Sequence, residues 1–218
     1  MKRVLLLAAW AAVLGAQAAP KPAAIFADGM VLQRDQPVRV WGRAEPGEAV
    51  EVSLAGASAK TQADAEGRFS ATLPARPAGG PHELQLRGSS TVTLRDIYLG
   101  DVWLASGQSN MEWALRLAAN GEREVAAANF PLIRERHVAH RASLRLEDDL
   151  APAPWRPALP QHAGTFSAVA YFFARDVHRA TGVPIGIVHS SWGGTHVETW
   201  TSAAGHAHDP ELAALVRR

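Results

Sequence analysis

Two short stretches of this chain hold residues whose types and spacing could do covalent chemistry. Gly107-Gln108-Ser109-Asn110 follows a largely apolar run over 97–105, and Ser191-Trp192-Gly193-Gly194-Thr195 follows Pro184-Ile185-Gly186-Ile187-Val188. Apolar runs of this length read as buried strands, and polar residues just beyond such strands sit at the carboxyl edge, where open α/β sheets bind ligands. Ser109 would open a helix over 111–119. Its hydroxyl would face a cleft, while the N–H groups at the helix start favour a developing oxyanion. Gly193 and Gly194 permit close backbone approach, and their N–H groups could complete that anion site. A nucleophile beside an anion hole suits acyl transfer. Pattern alone leaves two plainer readings open: Ser109 as a helix N-cap and the glycine pair as an ordinary turn.

A serine nucleophile needs a base, and the chain has nine histidines. His189 ends the second strand and His196 follows the glycine turn, so either could approach Ser109 where adjacent strand ends converge. His137-x-x-His140 and His206-x-His208-Asp209 are spaced like metal ligands, but two or three loop residues without a supporting pattern do not make a metal site, and none is assigned. His178 reads as a helix-flank residue, and His82 and His162 have no partner that the sequence reveals. Cysteine is absent. That removes disulfides, thiolate zinc sites, iron–sulfur clusters and cysteine nucleophiles together.

The elements that must position these residues fall into two textures. Over 25–95, short alternating strands such as Val50-Glu51-Val52-Ser53-Leu54 are separated by turn signals, among them Glu45-Pro46-Gly47-Glu48 and Asp64-Ala65-Glu66-Gly67. That spacing predicts a small antiparallel β-sandwich. After Arg95 come the two buried strands, an irregular stretch over 120–163 with a solvated acidic loop at Glu147-Asp148-Asp149, and a helix. The helix carries Phe166, Val169, Ala170, Phe173 and Val177 as one apolar stripe and ends at Gly182 and Pro184. Strands alternating with helices predict the beginning of a parallel α/β sheet.

The first residues read as an address. Lys2 and Arg3 precede an apolar run of about a dozen residues, and Ala16-Gln17-Ala18 offers a cleavage site, the layout of a secretory signal peptide over 1–18. The expected location is secreted or periplasmic. The run is short of the roughly 20 residues that span a bilayer. Losing Lys2 and Arg3 takes the formal charge from +1 to −1. A near-neutral chain without a basic stripe has no electrostatic footprint for nucleic acid or an anionic membrane. Its 47% hydrophobic content also excludes a disordered polypeptide.

Ala105-Ser106-Gly107-Gln108-Ser109-Asn110-Met111-Glu112, preceded by Gly100-Asp101-Val102-Trp103-Leu104, resembles the nucleophile block of the sialate O-acetylesterases, secreted members of the SGNH hydrolase superfamily. Residues 25–33 resemble the opening of that family's N-terminal β domain. The stretch from Val183 through Glu198-Thr199-Trp200 resembles its second block, with Gly193-Gly194-Thr195 at the oxyanion-hole turn. The resemblance runs from about residue 24 to 203, with three motifs in the family's order.

It implies that Ser109 is the nucleophile, that the N–H groups of Ser109 and of Gly193 or Gly194 are oxyanion donors, and that Gln108 and Asn110 shape the elbow by packing. Trp192, Glu198 and Trp200 flank the turn without assigned chemistry. The family's Gln-Gly-Glu and Asp-x-x-His blocks are absent. Asn120-Gly121-Glu122 is the nearest match to the former and is misplaced. The expected fold is therefore a β-sandwich over 25–95, followed over 96–218 by the first part of an SGNH-type α/β/α domain. The expected function is removal of O-acetyl groups from sialic acid or related sugars through an acetyl-serine, weak or absent in this chain alone. No metal or organic cofactor is implied, the partner is an acetylated sugar or glycan, and the oligomeric state is open. The competing expectation is a non-catalytic carbohydrate-binding or structural β-sandwich carrying a degenerate hydrolase remnant.

Overall fold

The computed structural model describes residues 19–143 and 145–208. The expected signal peptide and Asp209 lie outside the described residues.

Alternation of apolar and polar residues builds the amino-terminal half. The first strands are β1 (Lys21–Pro22), β2 (Val31–Gln33), β3 (Val38–Arg43), β4 (Ala49–Leu54), β5 (Ala57–Gln62) and β6 (Arg68–Leu73). They are followed by β7 (Gly79–Arg87) and β8 (Thr91–Gly107). In β6, Phe69, Ala71 and Leu73 point inward while Arg68, Ser70 and Thr72 are exposed. β1, β3 and β6 form a three-stranded antiparallel sheet, with Val38 opposite Leu73 and Val40 opposite Ala71. Their inward side chains share one core with Val50, Val52 and Leu54 of β4, Leu84 and Leu86 of β7, and Ile97 and Leu99 of β8.

The other sheet has eight strands and is mixed. Its remaining members are β9 (Phe130–His137), β10 (Arg156–Ala158) and β11 (Ile185–Ser191), in the order β10-β9-β11-β8-β7-β4-β5, with β2 paired to β8. β8, expected as two separate strands, is one 17-residue strand that runs without a break through the change of texture at residue 95. Its first part pairs antiparallel with β7, and its last part, Asp101 to Gly107, pairs parallel with Ile185 to Ser191 of β11. β11 pairs parallel with β9 on its other side, and His189 lies opposite His137. Three parallel strands are present where the sequence showed two.

The helices are α1 (Ser109–Glu112), α2 (Gly121–Ala127), α3 (Pro160–Ala163), α4 (Ala168–Thr181) and α5 (Ala203–Ala207), with 3₁₀ turns at Leu115–Leu117 and Val197–Trp200. The helix expected over 111–119 is shorter because Trp113 and Ala114 turn extended and Ala114 bridges to Ser167. α4 begins with the Ser167 hydroxyl accepting from the Ala170 N–H and ends at Gly182 in the left-handed region. Ala168, Ala170, Tyr171 and Ala174 form its buried side, whereas Val169 and Phe173 of the expected stripe are exposed. Phe173 meets Trp103 of β8 edge-on, and both rings stay partly exposed.

The stretch expected to be irregular contains β9, β10, α2 and α3. β9 was hidden by its composition, because Arg134, Glu135 and Arg136 are all buried. Arg134 donates to the Gly29 carbonyl and the Asp96 carboxylate, and its guanidinium lies over the Tyr98 ring. Arg136 donates to the carbonyls of Ala24 and Ala151. The acidic loop is also more than a solvated bend. Asp149 accepts from the Ala24 N–H, Asp148 pairs with Arg43 and Glu147 with Arg141. Among the described residues no helix is long and apolar enough to cross a membrane.

Candidate active site

The carboxyl ends of β8, β11 and β9 lie side by side, and each delivers polar groups to one region. At the end of β8, Gln108 caps α1. Its side-chain oxygen accepts from the Ser109 N–H at 3.0 Å and, in a close contact, from the Ser109 hydroxyl. Ser109 is therefore exposed at the start of α1, the place expected for a nucleophile, with its hydroxyl oriented by Gln108. Gln108 thus has a hydrogen-bonding role beyond packing, and its carbonyl occupies the Ser109 N–H that was expected to face an oxyanion. Asn110 is exposed and makes no side-chain hydrogen bond among the described residues.

The glycine turn meets this helix directly. The Gly193 N–H donates to Glu112 Oε2 at 2.6 Å. A methyl group on Gly193 would lie 2.6 Å from that oxygen, displacing the Glu112 carboxylate, and in ordinary contact at 3.7 Å with the Ser109 Cα, which shows how near the turn comes to the helix. An anionic oxygen thus already sits on one expected oxyanion donor, supplied by Glu112 from within the same helix. Gly194 has φ +78°, in the left-handed region that reverses the chain. The glycine turn and the Ser109 helix are brought together.

Glu112 was given no role by the sequence, and His140 was considered only for its metal-like spacing with His137. Glu112 lies three residues after Ser109, which places it on the same face of a one-turn helix. Its other oxygen, Oε1, is 3.1 Å from His140 Nε2. The same nitrogen is 2.8 Å from the Ser191 carbonyl. A carbonyl only accepts, so His140 carries its proton on Nε2 and donates there. The imidazole also stacks on Trp192, with centroids 4.4 Å apart and planes at 4°. Glu112 and His140 together tie α1, the β9 end and the glycine turn.

Neither expected substitute base contacts Ser109. His189 is buried, its Nε2 lies 2.7 Å from Ser191 Oγ, and its Nδ1 is 3.5 Å from Glu135 Oε1 without hydrogen-bond geometry. It belongs to a buried polar chain, Glu135–His189–Ser191, that makes no contact with Ser109. Burial pushes the Glu135 carboxyl above its ordinary range, an effect that neighbouring His189 and the Ser167 N–H partly oppose. His196 is exposed and precedes the Val197–Trp200 turn, with its carbonyl accepting from Thr199. His137 packs edge-on against His189 and lies 6.3 Å from His140. Burial lowers its pKa below the ordinary value, reinforced by the charges of His189 and His140. No group of three or more histidine or carboxylate side chains is gathered for a metal among the described residues.

A cleft of about 530 Å³ opens beside the turn, lined by His140, Arg141, Ser190, Trp192, Thr195 and Trp200 among others. It is deep enough for a small organic ligand.

This arrangement has relatives. No protein-family model matches the chain. The sialate O-acetylesterase of Mus musculus is 33% identical over 193 residues, covering 79% of this chain and 36% of its own length. That of Homo sapiens is 32% identical over 196 residues, covering 79% and 37%. The chain is a homologue of the sialate O-acetylesterases. It spans about a third of the length of these relatives. A crystal structure described as a novel carbohydrate acetylesterase from Xanthomonas citri superposes with a TM-score of 0.83 at 47% identity, over 85% of this chain and 43% of that one. This chain thus shares its mixed-sheet fold with the matching part of that acetylesterase.

Proposed function

We propose that this chain carries the nucleophile portion of a carbohydrate O-acetylesterase site, with Ser109 attacking the acetyl carbonyl of an O-acetylated sugar such as a sialic acid. The observation that carries the proposal is the contact between the Gly193 turn and the Ser109 helix, which places an anion-binding N–H beside an exposed hydroxyl. The names of the relatives, esterases of acetylated carbohydrates, support the same chemistry.

In the proposed reaction the Ser109 oxygen bonds to the acetyl carbon while its proton leaves to a base. The carbonyl oxygen gains charge, which backbone N–H groups at Gly193 and Gly194 stabilise once the Glu112 carboxylate gives way. Collapse expels the sugar hydroxyl and leaves an acetyl-serine, which water then hydrolyses. No described histidine touches Ser109. General-base assistance is typically worth about 10²–10⁴-fold, so this chain alone is expected to turn over slowly. The amino-terminal strands are proposed to form a sandwich that supports a first part of an SGNH-type domain, and an exported location is proposed from residues 1–18. The test is acetate release from O-acetylated sugars by this chain and by Ser109→Ala. Release that disappears in the variant supports the proposal. Release that survives it contradicts the assignment.

A further inference from the structure

Two tryptophans stand partly exposed on the wall of the cleft that the glycine turn borders, and both are held in place. Trp200 is 42% exposed and Trp192 37%. The Trp200 indole N–H donates to Thr195 Oγ1 at 2.8 Å, and the Thr195 hydroxyl donates to the Trp192 carbonyl at 2.7 Å. The single polar group of the Trp200 indole is therefore spent within the protein, and what the ring offers outward is apolar surface. A large aromatic left partly in water but held by hydrogen bonds has the attributes of a ligand contact. Trp192 has one face covered by His140, which leaves Trp200 as the more open of the two.

The polar groups around the rings are few. The hydroxyls of Thr195 and Thr199 are engaged within the turn, and His140 is held by Ser191 and Glu112. Arg141, at the rim, is exposed and paired with Glu147 at 3.2 Å, in a surface ion pair that a ligand can displace at small cost. A flat apolar ring and a multi-donor cation lining the same cleft match one ligand shape. That shape has an apolar C–H face for the indole and an oxygen-rich edge for the guanidinium, as a pyranose ring does.

We propose that Trp200 is the platform on which the pyranose ring of the substrate stacks, with Arg141 binding oxygens at the ring edge. This rests on the carbohydrate esterase reading and adds the residue that holds the sugar. Neutral and carboxylated pyranoses share the stacking chemistry and differ in what they present to Arg141.

The test is calorimetric titration of this chain with a neutral methyl pyranoside and with a carboxylated one, followed by indole N–H resonances. The Trp200 signal is assigned by its loss in Trp200→Phe. Trp200→Ala is expected to weaken binding of both sugars by about tenfold or more, while Trp200→Phe, which keeps an aromatic face, binds close to wild type. Ser109→Ala is expected to bind unchanged. In Arg141→Gln, a loss confined to the carboxylated sugar assigns the guanidinium to a carboxylate, and an equal loss for both assigns it to hydroxyls.

Should Trp200→Ala fail to fold, the wild-type Trp200 resonance decides, because it must shift on sugar binding. Wild-type affinity in a folded Trp200→Ala, a Trp200 signal unmoved by bound sugar, or no binding of either pyranoside overturns the platform. Acetate release alongside unaltered Trp200→Ala binding would defeat the platform and leave the esterase standing. Sugar binding without any reaction at Ser109 would do the reverse.

Discussion

Glu112 is the side chain on which the site's geometry turns. One of its oxygens holds the Gly193 N–H and the other faces the imidazole of His140, so a single carboxylate joins the nucleophile helix to two strand ends. Glu112→Ala frees the Gly193 N–H for the oxyanion but unties the glycine turn from α1, and the lost positioning is predicted to prevail, slowing acylation of Ser109 by about 10–100-fold. Glu112→Gln keeps an acceptor oxygen and should recover most of the rate. Stopped-flow measurement with an activated acetyl ester distinguishes them, and equal rates in both variants would contradict a positioning role.

His137 supplies a pH prediction. Its folded pKa lies below the ordinary 6.5 because burial disfavours the cation. The unfolded chain therefore binds more protons than the folded one just below pH 6.5, and stability is lost as pH falls through that range. His137→Asn should flatten this part of the stability–pH curve measured by urea denaturation. The meeting of the Ser109 helix and the glycine pair was legible because polar residues just after apolar strand runs are a local signal. Glu112 and His140 were not, because their meaning lies in partners 81 and 51 residues away.

At the scale of elements, alternating strands were easy to read and strands with buried charge were not. β6 shows strict alternation, so its pattern survives in sequence. β9 contains Arg134-Glu135-Arg136, whose burial depends on carbonyl and carboxylate partners that no local window shows. The α4 stripe was half right for a related reason. Periodicity locates an apolar face but not what covers it, and here Val169 and Phe173 remain exposed.

Beside them, the Asp101 to Gly107 part of β8 pairs only with β11 among the described residues, and Leu104 is 70% exposed. Open apolar edges recruit other chains. This chain is predicted to self-associate at micromolar concentration and Leu104→Lys to shift it toward monomer in analytical ultracentrifugation. A monomer without the substitution would contradict that.

Across the whole molecule, β8 is the spine that joins the two cores, and the buried arginines of β9 cross between them. Arg134 reaches 105 residues back in sequence to the Gly29 carbonyl and 38 residues to Asp96. Arg134→Met is predicted to lower unfolding free energy by about 1.5–3 kcal/mol, the scale of hydrogen bonds to charged groups. An unchanged urea midpoint would show that these contacts add nothing.

The same scale carries the functional claim, because the proposed role of Ser109 rests on the convergence of three strand ends. Peptide mass mapping after exposure to an activated acetyl ester tests that claim most directly. A single acetyl group on the peptide bearing Ser109, absent in Ser109→Ala, is the predicted result. An unmodified Ser109, with acetylation elsewhere or nowhere, would contradict it.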